Sequence, residues 1–369
     1  MPTTLHPRWV RVAIVALACA LAFLTPAPAG AATVDGWHTT TPAKAGFHPQ
    51  RLAKVARQAR SYDSTCFAVV RDGRLVRDWN WGTDRTTHRQ TFSVTKSITS
   101  ALVGIAVRDG DLDLDDPVAD YVHAWRGTAS ADVTVRDLMS NVSGRFWSVD
   151  SDYAQLTQAR NRTAYAIGLD QEFPRGTVWS YNNAAIQVLD KVLRTATGTR
   201  TDRFAATRLF EPLGMTHTFM TRDVADRSTN VYFGVESTCL DLARFARLYL
   251  QQGSVGGHRI LARSYVHASV GESSSTLNAA YGLLWWVNRY GALRGPIDDV
   301  DEDGQPVTPV TGRLVPGAAG NLFSAIGLRG QIAMVDPGSR TIVVRLGPGT
   351  TDGYGPRKAA RAVTWALKR

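Results

Sequence analysis

Apolar residues recur along this chain with two different periods, and the two periods predict where helices and strands lie. A spacing of three to four residues is typical of amphipathic helices, and runs rich in Val, Ile and aromatic residues are typical of strands. The predicted helices are 48–62, 95–110, 134–141, 183–197, 202–215, 240–253 and 356–368. Strands are predicted within 66–81, at 281–290 and within 330–347. Asp72-Gly73 and Pro337-Gly338 mark the two hairpin turns.

The order of these elements predicts the fold class. Strands cluster at both ends of the chain, and helices fill the middle. We therefore expect an α/β fold in which N- and C-terminal strands build one antiparallel sheet, flanked by helices and interrupted by a mainly helical insertion. No internal repeat or flexible linker interrupts the pattern, so we expect a single domain over residues 32–369.

The first 31 residues have the pattern of a secretory signal peptide. Arg8 and Arg11 precede a run of thirteen apolar residues at 12–24, and Ala29-Gly30-Ala31 offers a small-residue cleavage site. The run is too short to span a membrane comfortably. We expect cleavage near Ala31 and a secreted or extracytoplasmic protein.

Net charge and cysteine content indicate which partners the protein binds and in which compartment it is found. The chain carries a formal net charge of +10, but its arginines are scattered and form no basic run, which argues against a nucleic-acid partner. The charge is compatible with association with an anionic cell envelope. Cys66 and Cys239 remain after cleavage, and an oxidising compartment favours a disulfide between them over two unpaired buried thiols.

Ser93 and Lys96 form the first candidate for chemistry. Residues three apart share one face of a helix, and here they stand at the start of a largely apolar helix. A buried lysine with a lowered pKa is able to accept the proton of the serine hydroxyl. The competing interpretation is a helix-capping serine beside a lysine whose ammonium reaches solvent.

Two further polar segments are candidates for the same site. Tyr181-x-Asn183 opens a predicted helix and offers a phenol and an amide, although Ser180-x-Asn182 is a competing frame. The segment 324–331 has two glycines beside a predicted strand, where a backbone N–H is able to stabilise an oxyanion together with the N–H of Ser93.

Other kinds of site find little support in the sequence. There is no Gly-x-Ser-x-Gly nucleophile motif and no His-Glu-x-x-His zinc motif. Asp299, Asp301 and Asp303 resemble the start of a calcium loop, but Val310 stands where the twelfth-position glutamate is required. We expect neither a metal nor an organic cofactor.

Together these segments resemble the serine β-lactamase and penicillin-binding protein superfamily, in its class C-like branch. That branch includes D-alanyl-D-alanine carboxypeptidases, esterases and 6-aminohexanoate-dimer hydrolase. The resemblance covers about residues 50–367. It rests on the segments SVTKS (93–97), YNN (181–183), GLRGQ (327–331), LFEPLGMTHT (209–218) and DLARFARLYL (241–250).

The resemblance implies a role for each matching residue. Ser93 is similar to the acylated nucleophile, Lys96 to the lysine of the same motif and Tyr181 to the proton-shuttling tyrosine. Asn183 matches the asparagine of the second motif, and Leu328 the position whose N–H completes the oxyanion hole. Either Lys96 or Tyr181 is the acylation base.

The third motif departs from the Lys-Thr-Gly of many β-lactamases. If Gly327 is its glycine, Ala325 and Ile326 replace Lys and Thr, although Arg329 is able to hold a carboxylate. We therefore expect an exported serine hydrolase that acts on a small-molecule ester or amide, or on a peptide. The alternatives are a D-Ala-D-Ala carboxypeptidase or β-lactamase, and a non-catalytic relative that binds the cell wall. The sequence leaves the oligomeric state open.

Overall fold

A computed structural model describes residues 1–3, 33–297, 308–348 and 353–368 of the chain. Residues from Thr33 onward belong to one compact unit. Most of the predicted signal peptide and the acidic segment 299–304 lie outside the described residues, so cleavage near Ala31 remains a prediction. Within the described part, no helix has the length and apolar character that crossing a bilayer requires.

The described chain forms eleven α-helices and fifteen strands. The helices are α1 Pro49–Arg60, α2 Val94–Asp109, α3 Val135–Ser140, α4 Leu156–Gln158, α5 Arg162–Gly168, α6 Asn183–Thr197, α7 Thr201–Ala205, α8 Glu211–Leu213, α9 Cys239–Leu250, α10 Arg263–Val266 and α11 Pro356–Ala359. The strands are β1 Thr33–Val34, β2 Trp37–His38, β3 Cys66–Arg71, β4 Arg74–Asn80, β5 Arg89–Gln90, β6 Phe219–Met220, β7 Val235–Ser237, β8 Ser254–Val255, β9 His258–Arg259, β10 Trp286–Val287, β11 Gly291–Leu293, β12 Val310–Gly312, β13 Phe323–Gly327, β14 Gln331–Asp336 and β15 Thr341–Leu346.

The main sheet confirms the predicted fold class. It has six antiparallel strands in the order β10-β13-β14-β15-β3-β4. The N-terminal strand β3 pairs directly with the C-terminal strand β15, with Val70 opposite Ile342. The helices α2 to α10 are inserted between β4 and β10 in the chain, as the order of apolar patterns predicts.

Both faces of the sheet are covered. Side chains on one face of β3, such as Ala68 and Val70, join a cluster that includes Ile98 of α2. The alternate residues, such as Phe67, pack on the other face against Leu52 of α1. Because successive strand residues point to opposite faces, this double cover explains why the central strands are apolar at almost every position.

Local signals place several element ends as predicted. Asp72 and Gly73 have φ angles of 49° and 73°, as a tight two-residue hairpin turn requires. The predicted helix 183–197 is α6, whose first turn is capped by the Asn182 side chain and whose end is Gly198 at φ 64°.

Two other predictions are wrong in part. Only Trp286–Val287 of the predicted strand 281–290 is a strand, because Leu284 adopts a left-handed conformation with φ 60° and its amide donates to Met139 O at 3.0 Å. The predicted C-terminal helix is interrupted after α11 and continues as a π-helical turn at Ala362–Ala366. The apolar residues of segment 281–290 are mostly buried, as their composition predicts, but tertiary contacts determine the backbone conformation there.

A disulfide joins the sheet to the helical region. The structure places it between Cys66 at the start of β3 and Cys239 at the start of α9, which are 173 residues apart in the chain. These are the two cysteines that the sequence offers for pairing outside the predicted signal peptide.

Candidate active site

Ser93 lies at the amino end of the buried helix α2. It is the N-cap residue, and the preceding Phe92 has a φ of 48°. A left-handed conformation is costly for a residue other than glycine, and such residues concentrate at functional sites. The turn is closed by a hydrogen bond from the Val94 amide to Thr91 O at 3.2 Å. The resulting sharp entry leaves Ser93 half-buried at the helix terminus.

Lys96 lies one turn along α2 and faces Ser93. Its Nζ donates to Ser93 Oγ at 2.9 Å and to Tyr232 O at 2.9 Å. Only 1% of Lys96 is exposed, and its Nζ lies 4.8 Å from the centre of the Tyr181 ring. Burial lowers the pKa of Lys96 from 10.5 to about 7, against the opposing influence of the Asp152 carboxylate. A substantial fraction of Lys96 is therefore neutral near pH 7 and able to accept a proton.

Tyr181 brings a phenol to the same point. Its side chain is buried, and its hydroxyl lies beside the Ser93 side chain. Burial raises the pKa of Tyr181 well above the ordinary value of 10, although the neighbouring Ser93 opposes the rise. Trp286 stacks on the ring at a centroid distance of 5.8 Å. Tyr181 is therefore held rigidly in its protonated form, as a proton donor.

The competing frame Ser180-x-Asn182 has a structural use. The Asn182 side chain accepts from the Ala185 amide at 2.7 Å and donates to Arg145 O and Phe146 O, each at 3.1 Å. These bonds use both ends of the amide. Tyr181, from the other frame, is the residue of this segment that faces Lys96 and Ser93.

Asn183 begins α6 with one end of its side-chain amide unused. Its side chain interacts with the Tyr153 hydroxyl, whose pKa it lowers against the effect of burial. Its Oδ1 is buried and has no hydrogen-bond partner among the described residues. The second hydrogen bond of Lys96 goes to Tyr232 O and not to the Asn183 side chain. An unpaired buried acceptor of this kind is suited to bind an N–H group of a substrate.

Asp152 is a site residue that the sequence did not identify. It is 1% exposed, and its carboxylate accepts from the amides of Asn183 at 2.8 Å and Ala184 at 2.9 Å. The carboxylate therefore caps α6 from outside the helix. Burial raises the pKa of Asp152 to about 6, while these amides and Lys96 lower it. Nothing in the local pattern distinguishes Asp152 from its exposed neighbour Asp150, so no sequence signal identifies it.

Gly327 and Leu328 bring a second backbone amide close to Ser93. A Cβ added to Gly327 would lie 2.2 Å from Thr91 O and 3.2 Å from the Ser93 nitrogen, so only glycine fits. Within the described chain, the backbone amides of Ser93 and Leu328 donate to no side chain. They also donate to no backbone carbonyl outside their own elements. Two free amides near the hydroxyl form a candidate oxyanion hole.

The remaining third-motif residues differ in exposure. Ala325 is fully buried, Ile326 is half-buried and the Arg329 side chain is exposed beside Leu328. Arg329 forms no ion pair with any described residue. The described part of the chain also contains no group of three side chains suited to hold a metal ion. The arrangement can deliver a nucleophile, a base, an acid and two oxyanion donors from the protein itself.

Comparisons with known proteins find relatives in sequence and in fold. A family model described as Beta-lactamase matches residues 50–364. Penicillin-binding protein 4 of Amycolatopsis lactamdurans is 31% identical over 206 residues, covering 47% of this chain and 54% of that protein. The chain thus aligns with about half the length of this relative. The 6-aminohexanoate-dimer hydrolase of Paenarthrobacter ureafaciens is 22% identical over 333 residues, covering 80% of this chain and 75% of the relative.

A solved structure supports the fold. The octameric penicillin-binding protein homologue from Pyrococcus abyssi superposes with a TM-score of 0.63 at 18% identity, covering 85% of this chain and 76% of that one. At this identity the likeness shows the shared architecture alone.

Proposed function

Because this chain belongs to the Beta-lactamase family, a family of hydrolases, we propose that it cleaves an ester or amide through an acyl-enzyme on Ser93. One observation carries the proposal. Lys96 Nζ lies 2.9 Å from Ser93 Oγ inside the protein, where burial lowers the pKa of the lysine to about 7. A neutral amine at that distance is a competent general base for the hydroxyl.

The first half-reaction transfers the acyl group to the protein. Neutral Lys96 takes the Ser93 proton as Oγ attacks the carbonyl carbon. The amides of Ser93 and Leu328 donate to the oxygen that becomes negative. Tyr181, whose pKa is raised by burial, gives its proton to the leaving alcohol or amine as the carbon–oxygen or carbon–nitrogen bond breaks. Lys96 then returns a proton to the Tyr181 oxygen, which leaves both groups as they began.

The second half-reaction releases the acid. Water loses a proton to neutral Lys96 and attacks the acyl carbon, using the same oxyanion donors. The bond to Ser93 Oγ breaks, and Oγ recovers the proton. All proton carriers are protein side chains, so the proposed cycle needs no metal or organic cofactor.

The side chains of the third motif favour a neutral substrate over an anionic one. Ala325 and Ile326 offer no cation at the third motif, and the unpaired Asn183 Oδ1 accepts an N–H of a substrate amide. The relative named 6-aminohexanoate-dimer hydrolase supports an amide substrate. The exposed Arg329 favours a second candidate, a D-Ala-D-Ala peptidase or β-lactamase that holds a carboxylate there, and the penicillin-binding relative supports it.

We also propose that the protein is exported and cleaved near Ala31. The disulfide between Cys66 and Cys239 supports an oxidising compartment. The net charge of +10 supports contact with an anionic cell envelope.

Turnover of p-nitrophenyl butyrate by Ser93→Ala tests the assignment. We expect the wild type to release p-nitrophenol and Ser93→Ala to lose this activity. Ser100→Ala on the same buried helix is the matched control and should remain active. Undiminished turnover by Ser93→Ala would overturn the proposal.

A fluorescent penicillin separates the candidates. Stable labelling of Ser93 without ester turnover would favour the peptidase or β-lactamase. Binding of peptidoglycan without turnover of esters, amides or cephalosporins would favour the non-catalytic relative.

A further inference from the structure

Arg345 is a buried cation that the proposed reaction does not use. It lies in β15, whose other residues are Thr, Ile, Val and Leu, and none of its surface is exposed. Burial of an arginine is costly unless its N–H groups find acceptors. A fully buried arginine in such a strand therefore calls for a structural or functional use.

The guanidinium of Arg345 binds two other segments of the chain, residues 62–64 and the turn at Arg329. Its Nε donates to Ser64 Oγ at 2.7 Å, and its two terminal nitrogens donate to Arg329 O at 2.8 Å and to Tyr62 O at 2.5 Å. All three acceptors are neutral. The ring of Tyr354 lies 5.1 Å from the guanidinium carbon.

One of these acceptors belongs to the turn that carries the candidate oxyanion donor. Arg329 directly follows Leu328 and has a φ of 61°, and Gly330 has a φ of 76°. A left-handed residue other than glycine costs about 1–2 kcal/mol. A turn with this conformation relaxes unless other contacts hold it. Gly330 is confined on its far side, since an added Cβ would lie 2.6 Å from Tyr354 O.

We propose that Arg345 is a positioning residue that holds the 328–330 turn, through the Arg329 carbonyl, so that the Leu328 amide points at the oxyanion. The inference rests on the proposed function, because it gives Leu328 a catalytic task. Arg345 itself touches no substrate. Its planar guanidinium holds the Arg329 carbonyl at a fixed position relative to the 62–64 segment. A lysine cannot do this, because its single ammonium group does not reach both segments in a fixed geometry.

The effect should appear in the transition state and not in substrate binding. Loss of an oxyanion donor lowers kcat by about 100- to 1000-fold. A displaced donor should cost less than a deleted one, so we expect Arg345→Lys to lower kcat by about 10- to 100-fold with little change in KM. A tetrahedral adduct that occupies the same hole should weaken by a similar factor.

The experiment compares Arg345→Lys with Arg145→Lys. Arg145 is a matched control, since its buried guanidinium also donates to a serine hydroxyl and to backbone carbonyls and lies 4.3 Å from the centre of the Trp125 ring. The measurements are kcat and KM for p-nitrophenyl butyrate, the inhibition constant of phenylboronic acid and the urea midpoint. We expect Arg345→Lys alone to lose boronate affinity and kcat in parallel.

A milder variant covers the case in which Arg345→Lys does not fold. Ser64→Ala removes one acceptor of the guanidinium and should lower kcat and boronate affinity in the same direction, by a smaller factor. The proposal is wrong if folded variants lose no more boronate affinity than Arg145→Lys at equal stability. If the wild type neither hydrolyses the ester nor binds phenylboronic acid, the proposed function fails.

Discussion

Replacing Lys96 with methionine should abolish hydrolysis and yet stabilise the protein at pH 6. Methionine has a similar length and no charge, so the buried site keeps its packing. The change removes the cost of holding an ammonium group away from water. The residue that we propose as the general base is therefore expected to lower the stability of the fold.

The size of the effect follows from the pKa of Lys96. A pKa of about 7 in place of 10.5 corresponds to about 5 kcal/mol, at about 1.4 kcal/mol for each tenfold change in proton affinity. Below pH 7 both the folded and the unfolded chain are protonated, and the folded state carries the whole cost. Between pH 7 and 10.5 the unfolded chain binds more protons, so the stability of the wild type rises with pH.

Methionine also loses favourable contacts. The hydrogen bonds to Ser93 Oγ and Tyr232 O disappear, at about 1 kcal/mol each. The Asp152 carboxylate loses its positive neighbour. We therefore expect a net gain of about 1–3 kcal/mol at pH 6, falling by about 3 kcal/mol by pH 9.5 as the wild-type lysine is relieved of its charge.

Urea unfolding at pH 6 and pH 9.5, followed by tryptophan fluorescence, measures the gain. Lys191→Met on α6 is the matched control, because it removes the same charge from a half-buried surface position. The electrostatic reasoning is refuted if Lys96→Met does not raise the free energy of unfolding more than Lys191→Met at pH 6. It is also refuted if that difference is as large at pH 9.5 as at pH 6.

Three further predictions concern other parts of the site and fold. Asp152→Asn should shift the acid limb of the kcat/KM profile to lower pH, because the Asp152 charge raises the pKa of Lys96. The control is Asp190→Asn, which should leave the acid limb in place. Asp190 is also buried, but it lies in the far part of α6 and accepts hydrogen bonds from threonine hydroxyls. Gly327→Ala should lower kcat for the ester by at least about 100-fold, since its Cβ collides with Thr91 O; unchanged kcat would contradict the close approach. Replacing Cys66 and Cys239 by serine should lower the free energy of unfolding by about 3–5 kcal/mol for a loop of 173 residues, measured by urea unfolding, and an unchanged midpoint would refute it.

The sequence predicts those features that depend on neighbours in the chain. The contact between Ser93 and Lys96 follows from helix geometry, and the ends of α6 follow from Asn182 and Gly198. The antiparallel sheet of terminal strands follows from the order of apolar patterns. These inferences succeed because each uses a local rule or the sequence order of elements.

Features set by distant packing were beyond the sequence. The Asp152 carboxylate acts at the site only because the 150–155 turn lies against the start of α6. Arg345 in β15 donates a hydrogen bond to Arg329 O, in the turn that precedes the neighbouring strand β14. Leu284 leaves its predicted strand because contacts with Met139 and Ser97 override a run of apolar residues. In each case the contacting residue is not a near neighbour in the chain, so the spacing of apolar residues does not indicate the contact.

The pairing of β3 with β15 has a consequence for newly made chains. Ribosomes release Ser93, Lys96 and Tyr181 long before β13 and the Leu328 amide. Strand β3 pairs with β4 on one side, but its partner on the other side, β15, is synthesised almost last. A nascent chain therefore holds the proposed nucleophile without the proposed second oxyanion donor. On the proposed mechanism, full reactivity begins only once the carboxyl-terminal strands have docked, when synthesis is nearly complete.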